Sequence, residues 1–316
     1  MLSLAVLESG PSGPVPQPAR LGILTNDGTA WSYRFIEDED SNVFHKAMVF
    51  TPTGGGATLL TAGGTKAMVK TWNTDGSSTT LWEKDFGGKF SRMRDLEVAD
   101  VNGDGFNDIV VATHDQGVVA VLFGSAAGDF TVSEIDAEPN TFVHEVEVGD
   151  LNGDGVLEIY ATPSLPNKLD GTPQPGFVTR YVPGADEGRV EVADLGDRHA
   201  KEILVEDVDG DGTDELYVSV EAVAGGRVEI LRFDADTDPA KGMLITSLGD
   251  TLTRFLTAGD VDGDGVKEMV AAANKSGLWL LRPGSDPRAE WSVESIDRNS
   301  GGFEHASILT DLDGDG

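Results

Sequence analysis

An all-β fold, a six-bladed β-propeller with four-stranded antiparallel blades, is predicted by three features of the sequence. An acidic, glycine-rich segment recurs about every 50 residues, an alternating strand pattern precedes each copy, and an apolar strand pattern follows it. A period of this length has room for four short strands, which is the size of one propeller blade. Six such periods predict a single domain over residues 1–316.

The recurring segment always begins with aspartate. The complete copies are DVNGDGFND (100–108), DLNGDGVLE (150–158), DVDGDGTDE (207–215) and DVDGDGVKE (260–268), and the partial copy DLDGDG occupies 311–316. Successive first aspartates are therefore 50, 57, 53 and 51 residues apart. Since each copy lies between two strand patterns, we place it in the turn between the first and second strands of a blade.

The oxygen-bearing residues of this segment indicate a divalent cation site. The side chains at positions 1, 3 and 5, the backbone carbonyl at position 7 and the acid at position 9 can converge on one ion, and the glycines allow the tight turn. A ligand set without His or Cys favours calcium over zinc or copper, and magnesium would require a stricter octahedron. We expect four calcium ions that stabilise the fold. The alternative is a set of solvated Asp-Gly turns that bind nothing.

The predicted ligands follow the same five positions in each loop. They are Asp100, Asn102, Asp104, Phe106 and Asp108; Asp150, Asn152, Asp154, Val156 and Glu158; Asp207, Asp209, Asp211, Thr213 and Glu215; Asp260, Asp262, Asp264, Val266 and Glu268; and, in the partial copy, Asp311, Asp313 and Asp315. The partial copy predicts a fifth site that is weak or empty.

The other two blades carry a weaker signature. The stretch HKAMVFTPTGGGATLLTAGG (45–64) has Thr51 in place of the first aspartate, so it predicts a blade without calcium ligands. The opening MLSLAVLES aligns with VLEIYATPS (156–164), and Ser3 then stands where the other loops have an acid. We expect the two ends of the chain to share the sixth blade, with a C-terminal innermost strand and three N-terminal strands, which would leave no free sheet edge.

These loops resemble the FG-GAP or VCBS repeats of integrin alpha-type propellers, whose blades carry DxDGDGxxD between their first and second strands. The resemblance extends over nearly the whole chain and is specific in four repeats. It implies a calcium-braced β-propeller. It implies no activity, because propellers of this kind include adhesion modules, lectins and polysaccharide lyases.

Composition restricts the partners. The formal net charge of −32 argues against nucleic acid and anionic membranes, which require a concentrated positive surface. No apolar run approaches the roughly 18 residues of a membrane helix, so we expect no membrane insertion. The chain has no cysteine, hence no disulfide or thiolate. We expect a monomer without a signal peptide, and a secreted or periplasmic location because extracellular calcium sites can be weak.

A second column of residues is basic in every blade. Six residues before the first loop position stand His45, Arg94, His144, Lys201, Arg254 and His305. In a propeller this position opens the innermost strand, at the mouth of the central channel and opposite the calcium loops. Six cations there would attract anions, so we expect a cationic funnel that binds a small anionic molecule or an acidic glycan. The alternative is that each basic residue neutralises a neighbouring acid.

Other functions of this column stay open. His45, His144 and His305 could hold a transition metal, or they could act as acid–base catalysts beside an arginine in a lyase or hydrolase with an anionic substrate. An adhesion module that contacts a protein through its rim is a third class. The proline-rich connections 9–22 and 162–176 could cover the funnel or form rigid surface.

Overall fold

The computed structural model describes residues 2–87, 91–114, 116–165, 173–185, 187–223, 225–299 and 307–310. These residues form 25 β-strands and no helix, so none of them belongs to a helix that could cross a membrane. The chain divides into two compact units, residues 1–143 and 144–316, and each unit is described by itself.

The first unit begins with a three-stranded antiparallel sheet and an inserted ribbon. The sheet has the order β1 (Leu2–Leu4), β4 (Ala19–Asn26), β5 (Trp31–Asp38), and the ribbon pairs β2 (Leu7–Gly10) with β3 (Gly13–Pro16). This ribbon occupies much of the expected 9–22 connection. Proline is compatible with it because a strand with one partner leaves half of its N–H groups outside the ladder.

Two four-stranded antiparallel sheets complete the first unit, each with strands in chain order. The first sheet contains β6 (Phe44–Phe50), β7 (Thr58–Gly63), β8 (Ala67–Trp72) and β9 (Ser78–Lys84), and the second contains β10 (Met93–Ala99), β11 (Asp108–Thr113), β12 (Val119–Phe123) and β13 (Thr131–Asp136).

The second unit contains three more sheets of the same order, and β14 begins just before its first residue. The sheets are β14 (Phe142–Gly149), β15 (Glu158–Ser164), β16 (Phe177–Tyr181) and β17 (Val190–Asp194); β18 (Ala200–Glu206), β19 (Glu215–Val220), β20 (Val228–Phe233) and β21 (Met243–Leu248); and β22 (Thr253–Gly259), β23 (Glu268–Ala273), β24 (Gly277–Arg282) and β25 (Ser292–Asp297).

Within each unit, neighbouring sheets pack against each other through residues of their first, second and third strands. Strands β11, β15, β19 and β23 are buried along their whole length, which explains why their sequences are apolar on both faces. In the first unit Leu60, Leu96 and Ile109 belong to one apolar cluster. In the second unit Tyr160 and Ile203 share another. The outer strands carry more exposed side chains.

The predicted fold class is confirmed: the chain is an all-β, six-bladed β-propeller, and its described residues form five complete four-stranded antiparallel blades and three strands of the sixth. Three strands of the blade expected to join the chain ends are described, namely β1, β4 and β5. Its innermost strand was expected near the C-terminus, where residues 301–306 and 311–316 lie outside the described residues and 307–310 form no strand. The extent of a single domain over 1–316 stays a prediction.

Candidate metal centre

The four complete acidic loops share one backbone conformation. In each loop the first aspartate accepts hydrogen bonds from the backbone N–H groups of positions 5 and 6. These bonds run from Asp104 and Gly105 to Asp100, from Asp154 and Gly155 to Asp150, from Asp211 and Gly212 to Asp207, and from Asp264 and Gly265 to Asp260. The loop therefore folds around its first carboxylate, which explains why that position is always aspartate.

Positions 4 and 6 need glycine for conformational reasons. In the loop 207–215, Gly210 has φ 74° and Gly212 has φ 94°, and a Cβ built on either would meet no atom within 4 Å. The constraint is thus the left-handed backbone and not a lack of space. This conformation directs successive side chains of the loop toward one point.

Carboxylates converge most closely in two loops of the second unit. One carboxylate oxygen from each of Asp207, Asp209, Asp211 and Glu215 lies within 4.8 Å of the others. Asp260, Asp262 and Glu268 form a second group by the same measure. These are predicted ligand positions 1, 3, 5 and 9 in the first group and 1, 3 and 9 in the second. The loops at 100–108 and 150–158 have asparagine at position 3, so each has one carboxylate fewer.

The acid at position 9 is buried in every loop. Asp108, Glu158, Glu215 and Glu268 begin the apolar middle strands and are at most 2% exposed. In three of the four loops this acid accepts a bond from the backbone N–H of position 2, as in Val208 N to Glu215 Oε2 at 3.1 Å. Burial raises the pKa of Glu215 to about 7 and also raises the pKa of Asp108 and Glu158. A cation beside these acids would favour their charged form.

Arginines of the third strands contact these acids in the second unit. Arg180 Nη1 lies 3.0 Å from Glu158 Oε1, and Arg282 Nη1 lies 2.7 Å from Glu268 Oε1. Arg232 is 1% exposed and extends between Glu215 and Asp209. Sequence reasoning missed these residues, although a lone arginine in an otherwise apolar third strand (VTRYV, EILRF, WLLR) was a visible signal.

Consecutive loops of the second unit are linked through position 8. The Asp214 carboxylate accepts a hydrogen bond from the backbone N–H of Asp150 at 2.7 Å. Lys267 Nζ binds Glu206 Oε1 at 2.7 Å and the Asp207 carbonyl at 2.9 Å. Each loop thus contacts the start of the loop in the preceding blade.

The donor chemistry fits calcium. All the converging side-chain atoms are oxygens, three or four of them belong to carboxylates, and backbone N–H groups of the loop donate to the first of these acids. The backbone N–H groups of the position 7 residues Phe106, Val156, Thr213 and Val266 donate to the position 5 acids, which orients those acids. Bound there, calcium would supply positive charge and a rigid cross-link between the first two strands.

Two segments stand where further loops of this kind would lie, and their calcium binding stays untested. The connection between β6 and β7 carries Thr51, Pro52 and Thr53 and no acid. The Ser3 hydroxyl donates to the Phe44 carbonyl at 2.5 Å. Asp311, Asp313 and Asp315 lie outside the described residues, so the fifth site stays a prediction.

The basic column is divided between the two units. His45 and Arg94 belong to the first, His144, Lys201 and Arg254 belong to the second, and His305 lies outside the described residues. His45, Arg94, Lys201 and Arg254 are each the second residue of the first strand of a blade. The gathering of all six around one opening stays a prediction.

A β-bulge coincides with this column. The strand register passes from Phe44 to Lys46, from Met93 to Asp95, from Ala200 to Glu202 and from Thr253 to Phe255, so the inserted residue is His45, Arg94, Lys201 and Arg254 in turn. Bulges re-aim side chains and occur often beside functional sites. Bulges between the third and fourth strands recur too, but only the inner ones insert a basic residue each time.

The column has different surroundings in the two units. In the first, Arg94 Nη1 lies 2.9 Å from His45 Nδ1, and both residues are partly exposed. In the second, Lys201 Nζ lies 3.0 Å from Glu221 Oε1, and His199 Nε2 lies 2.9 Å from Glu221 Oε2. Burial alone would raise the pKa of Glu221, but the His199 bond and the Lys201 charge lower it overall. For Lys201, the structure therefore favours the ion-pair alternative.

A comparison with protein families agrees with the loop geometry. The family described as FG-GAP-like repeat matches residues 100–161, which span the loop 100–108, strands β11 to β14 and the loop 150–158. No curated protein matches the chain. The resemblance of the acidic loops to FG-GAP repeats is thereby confirmed over residues 100–161, and the chain carries an FG-GAP-like repeat there within a β-propeller.

Proposed function

We propose that the chain is a calcium-stabilised β-propeller that serves as a binding module. The observation that carries the calcium part is the convergence of Asp207, Asp209, Asp211 and Glu215 within 4.8 Å. Four carboxylates this close repel one another in the absence of a counter-ion. A calcium ion that binds the folded loop and not the unfolded chain would stabilise the fold by mass action.

Chelation tests this part. Melting temperature is measured for the full chain with excess calcium and with excess chelator, and we expect a clear decrease on chelation. The variant Asp207→Asn with Asp211→Asn should lose part of that response. The matched control, Asp236→Asn with Asp238→Asn, changes two exposed aspartates of the same unit and should respond like the unmodified chain. An equal melting temperature with calcium and chelator in the unmodified chain would refute the proposal.

We propose further that the basic column binds an anionic ligand, a small carboxylate or sulfate or an acidic glycan. The β-bulge at four of its members supports this, because it gives each basic side chain a direction independent of the strand alternation. Arg94 is the best candidate, since it is only partly buried and its planar guanidinium can bind a carboxylate bidentately. Lys201 is the weakest, since Glu221 already neutralises it.

Titration with an oligosaccharide of uronic acids tests the anion proposal. Arg94→Ala should weaken binding at least tenfold while the melting temperature stays close to that of the unmodified chain. Arg227→Ala, which removes an exposed arginine just before β20, is the matched control. Unchanged affinity of Arg94→Ala would remove Arg94 from the site. Turnover lost in His45→Ala or His144→Ala with binding retained would instead identify the enzyme alternative, a lyase or hydrolase.

The remaining properties follow from this function. We propose a secreted or periplasmic monomer, since abundant external calcium would fill weak sites. The net charge of −32 opposes nucleic acid as a partner.

A further inference from the structure

Two arginines each contact a pair of predicted calcium ligands in their own blade. Arg282 Nη1 lies 2.6 Å from Asp262 Oδ2 and 2.7 Å from Glu268 Oε1. Arg232 Nη1 lies 2.8 Å from Asp209 Oδ2, and its Nη2 lies 3.4 Å from Glu215 Oε1. In both loops the guanidinium therefore bridges positions 3 and 9, the two carboxylates that an ion would also bridge.

The arginines reach these acids from different places in the third strand. Arg232 is paired with Tyr217, two residues beyond Glu215. Leu281 is paired with Met269, one residue beyond Glu268, and Arg282 follows Leu281, so Arg282 lies two positions closer to the loop than Arg232. Arginines at two different strand positions thus each place one positive charge beside the acids at positions 3 and 9 of their own loop. A shared position inherited from one ancestral repeat does not account for that.

The contact also varies with the residue at position 3. Where position 3 is aspartate, at Asp209 and Asp262, an arginine binds it. Where position 3 is asparagine, the amide donates to a ligand acid instead: Asn152 Nδ2 to Glu158 Oε1 at 3.2 Å and Asn102 Nδ2 to Asp104 Oδ2 at 3.1 Å. Arg180 also contacts the position 9 acid of a three-acid loop, Glu158, but its other contact is Glu187, outside that loop. In the described residues, an arginine that bridges positions 3 and 9 therefore occurs only where position 3 is aspartate.

We propose that Arg232 and Arg282 are fixed counter-charges of their calcium loops. Each lowers the calcium affinity that four carboxylates would otherwise give, and each holds the acids of positions 3 and 9 together in the ion-free loop. Counted over ligand positions 1, 3, 5 and 9 only, a four-acid loop with its arginine has the same net side-chain charge as the three-acid loop at 100–108. The inference rests on the proposed calcium binding and adds the residue that sets its strength.

Arg282 is the better test, because Arg232 is almost completely buried and its removal threatens folding. The full chain is labelled with [15N]glycine, stripped of metal and titrated with calcium. The amide of Gly265, which donates to Asp260, reports the loop 260–268, and the amide of Gly212 reports the loop 207–215 as an internal control. Melting temperature in chelator is measured in parallel.

The test compares calcium affinity among two single variants that change opposite charges and the double variant that combines them. One charge a few ångströms from a divalent ion near the surface changes affinity on the order of tenfold. Arg282→Gln should tighten binding at Gly265 by about tenfold and lower the ion-free melting temperature, while Gly212 is unchanged. Asp262→Asn should weaken binding at Gly265 by a similar factor. The double variant should bind within about threefold of the unmodified chain, and so should Arg282→Lys.

The outcomes separate the two proposals. If Arg282→Gln leaves binding at Gly265 unchanged or weakens it, the counter-charge role is wrong. If that variant does not fold, the double variant decides: binding weakened tenfold or more contradicts the inference. If neither Gly265 nor Gly212 responds to calcium in the unmodified chain, the calcium proposal itself fails, and the arginine role falls with it.

Discussion

The Asp214 carboxylate accepts a hydrogen bond from the backbone nitrogen of Asp150, 2.7 Å away, and so one acidic loop holds the start of the loop in the preceding blade. Asp214→Ala should lower the free energy of unfolding by about 1 kcal/mol, because the partly buried Asp150 N–H loses its acceptor. Chemical denaturation measures this loss. Asp236→Ala, an exposed aspartate in the same unit, is the control and should change little.

A calcium-affinity change should accompany that loss. Since Asp150 is the predicted first ligand of its loop, loosening its backbone should weaken binding at the loop 150–158, read from the amide of Gly155. An effect confined to the loop 207–215 would show that the link is incidental.

Glu215 should make ion-free stability and calcium binding depend on pH in opposite ways. Burial raises its pKa from 4.5 to about 7, so the folded chain holds a proton that the unfolded chain has released between these values. The free energy of unfolding without calcium should therefore fall as pH rises from about 4.5 to about 7. Calcium competes with this proton for Glu215. The calcium affinity of the loop 207–215, read from the amide of Gly212, should therefore increase as pH rises from about 4.5 to about 7. Glu215→Gln should reduce the pH dependence of ion-free stability, and the raised pKa values of Asp108 and Glu158 should account for part of what remains. A flat profile in the unmodified chain would contradict the burial effect.

Asp250 should stabilise the end of the last described blade that lies opposite its acidic loop. Its carboxylate accepts bonds from the backbone N–H groups of Thr251, Lys275 and Ser276 and from the Ser276 hydroxyl. Burial alone would raise its pKa, but these bonds lower it below the ordinary 3.8. Asp250→Ala should cost about 2 kcal/mol, because buried donors lose their acceptor. Asp286→Ala, at an exposed turn, is the control.

The pH dependence of this contribution has the opposite sign to that of Glu215. Since the folded pKa of Asp250 is depressed, its stabilisation is fully present above about pH 3.8 and is lost as pH falls through the lower folded pKa. Acid unfolding of Asp250→Ala compared with the unmodified chain measures it. If the difference in stability between Asp250→Ala and the unmodified chain stays the same at every acidic pH, this linkage is wrong.

Glu221 should be essential for the fold of the second unit. Its replacement by glutamine removes the carboxylate that lies 3.0 Å from the Nζ of Lys201, a residue that is 2% exposed, and breaking a buried ion pair in this way typically costs about 3–5 kcal/mol. Glu229→Gln, which removes a more exposed partner of Arg198, should cost less than about 1 kcal/mol. If Glu221→Gln is equally mild, Lys201 must be stabilised by other groups and regains weight as an anion ligand.

The repeat period made the blades predictable, because the acidic loops fix where the first strand ends and the second begins. Position 9 acids such as Glu215 were placed correctly for the same reason. The arginines were harder to place, since their contacts depend on how the third strand registers against the second. That register brings Arg232 and Arg282 to equivalent acids from inequivalent positions, which no column of an alignment displays.

The 7–16 ribbon and the bulges were hidden for different reasons. Proline obscured the strands of the ribbon, which pair only with each other. A bulge leaves no mark in the residue pattern, because the basic residue it inserts simply occupies the next place in the sequence. The sequence revealed the column of basic residues, but it did not reveal the β-bulge at which four of them lie.

At His45 and Arg94 the residue inserted by the bulge is also partly exposed, so its side chain is less restricted than its neighbours by the alternation that the packed interior imposes. Lys201 and Arg254 lie at the same kind of bulge but are buried, and Lys201 pairs with Glu221. Single replacements at His45 and Arg94 should therefore leave the strands behind them largely unchanged, whereas replacements at Lys201 and Arg254 should reduce stability.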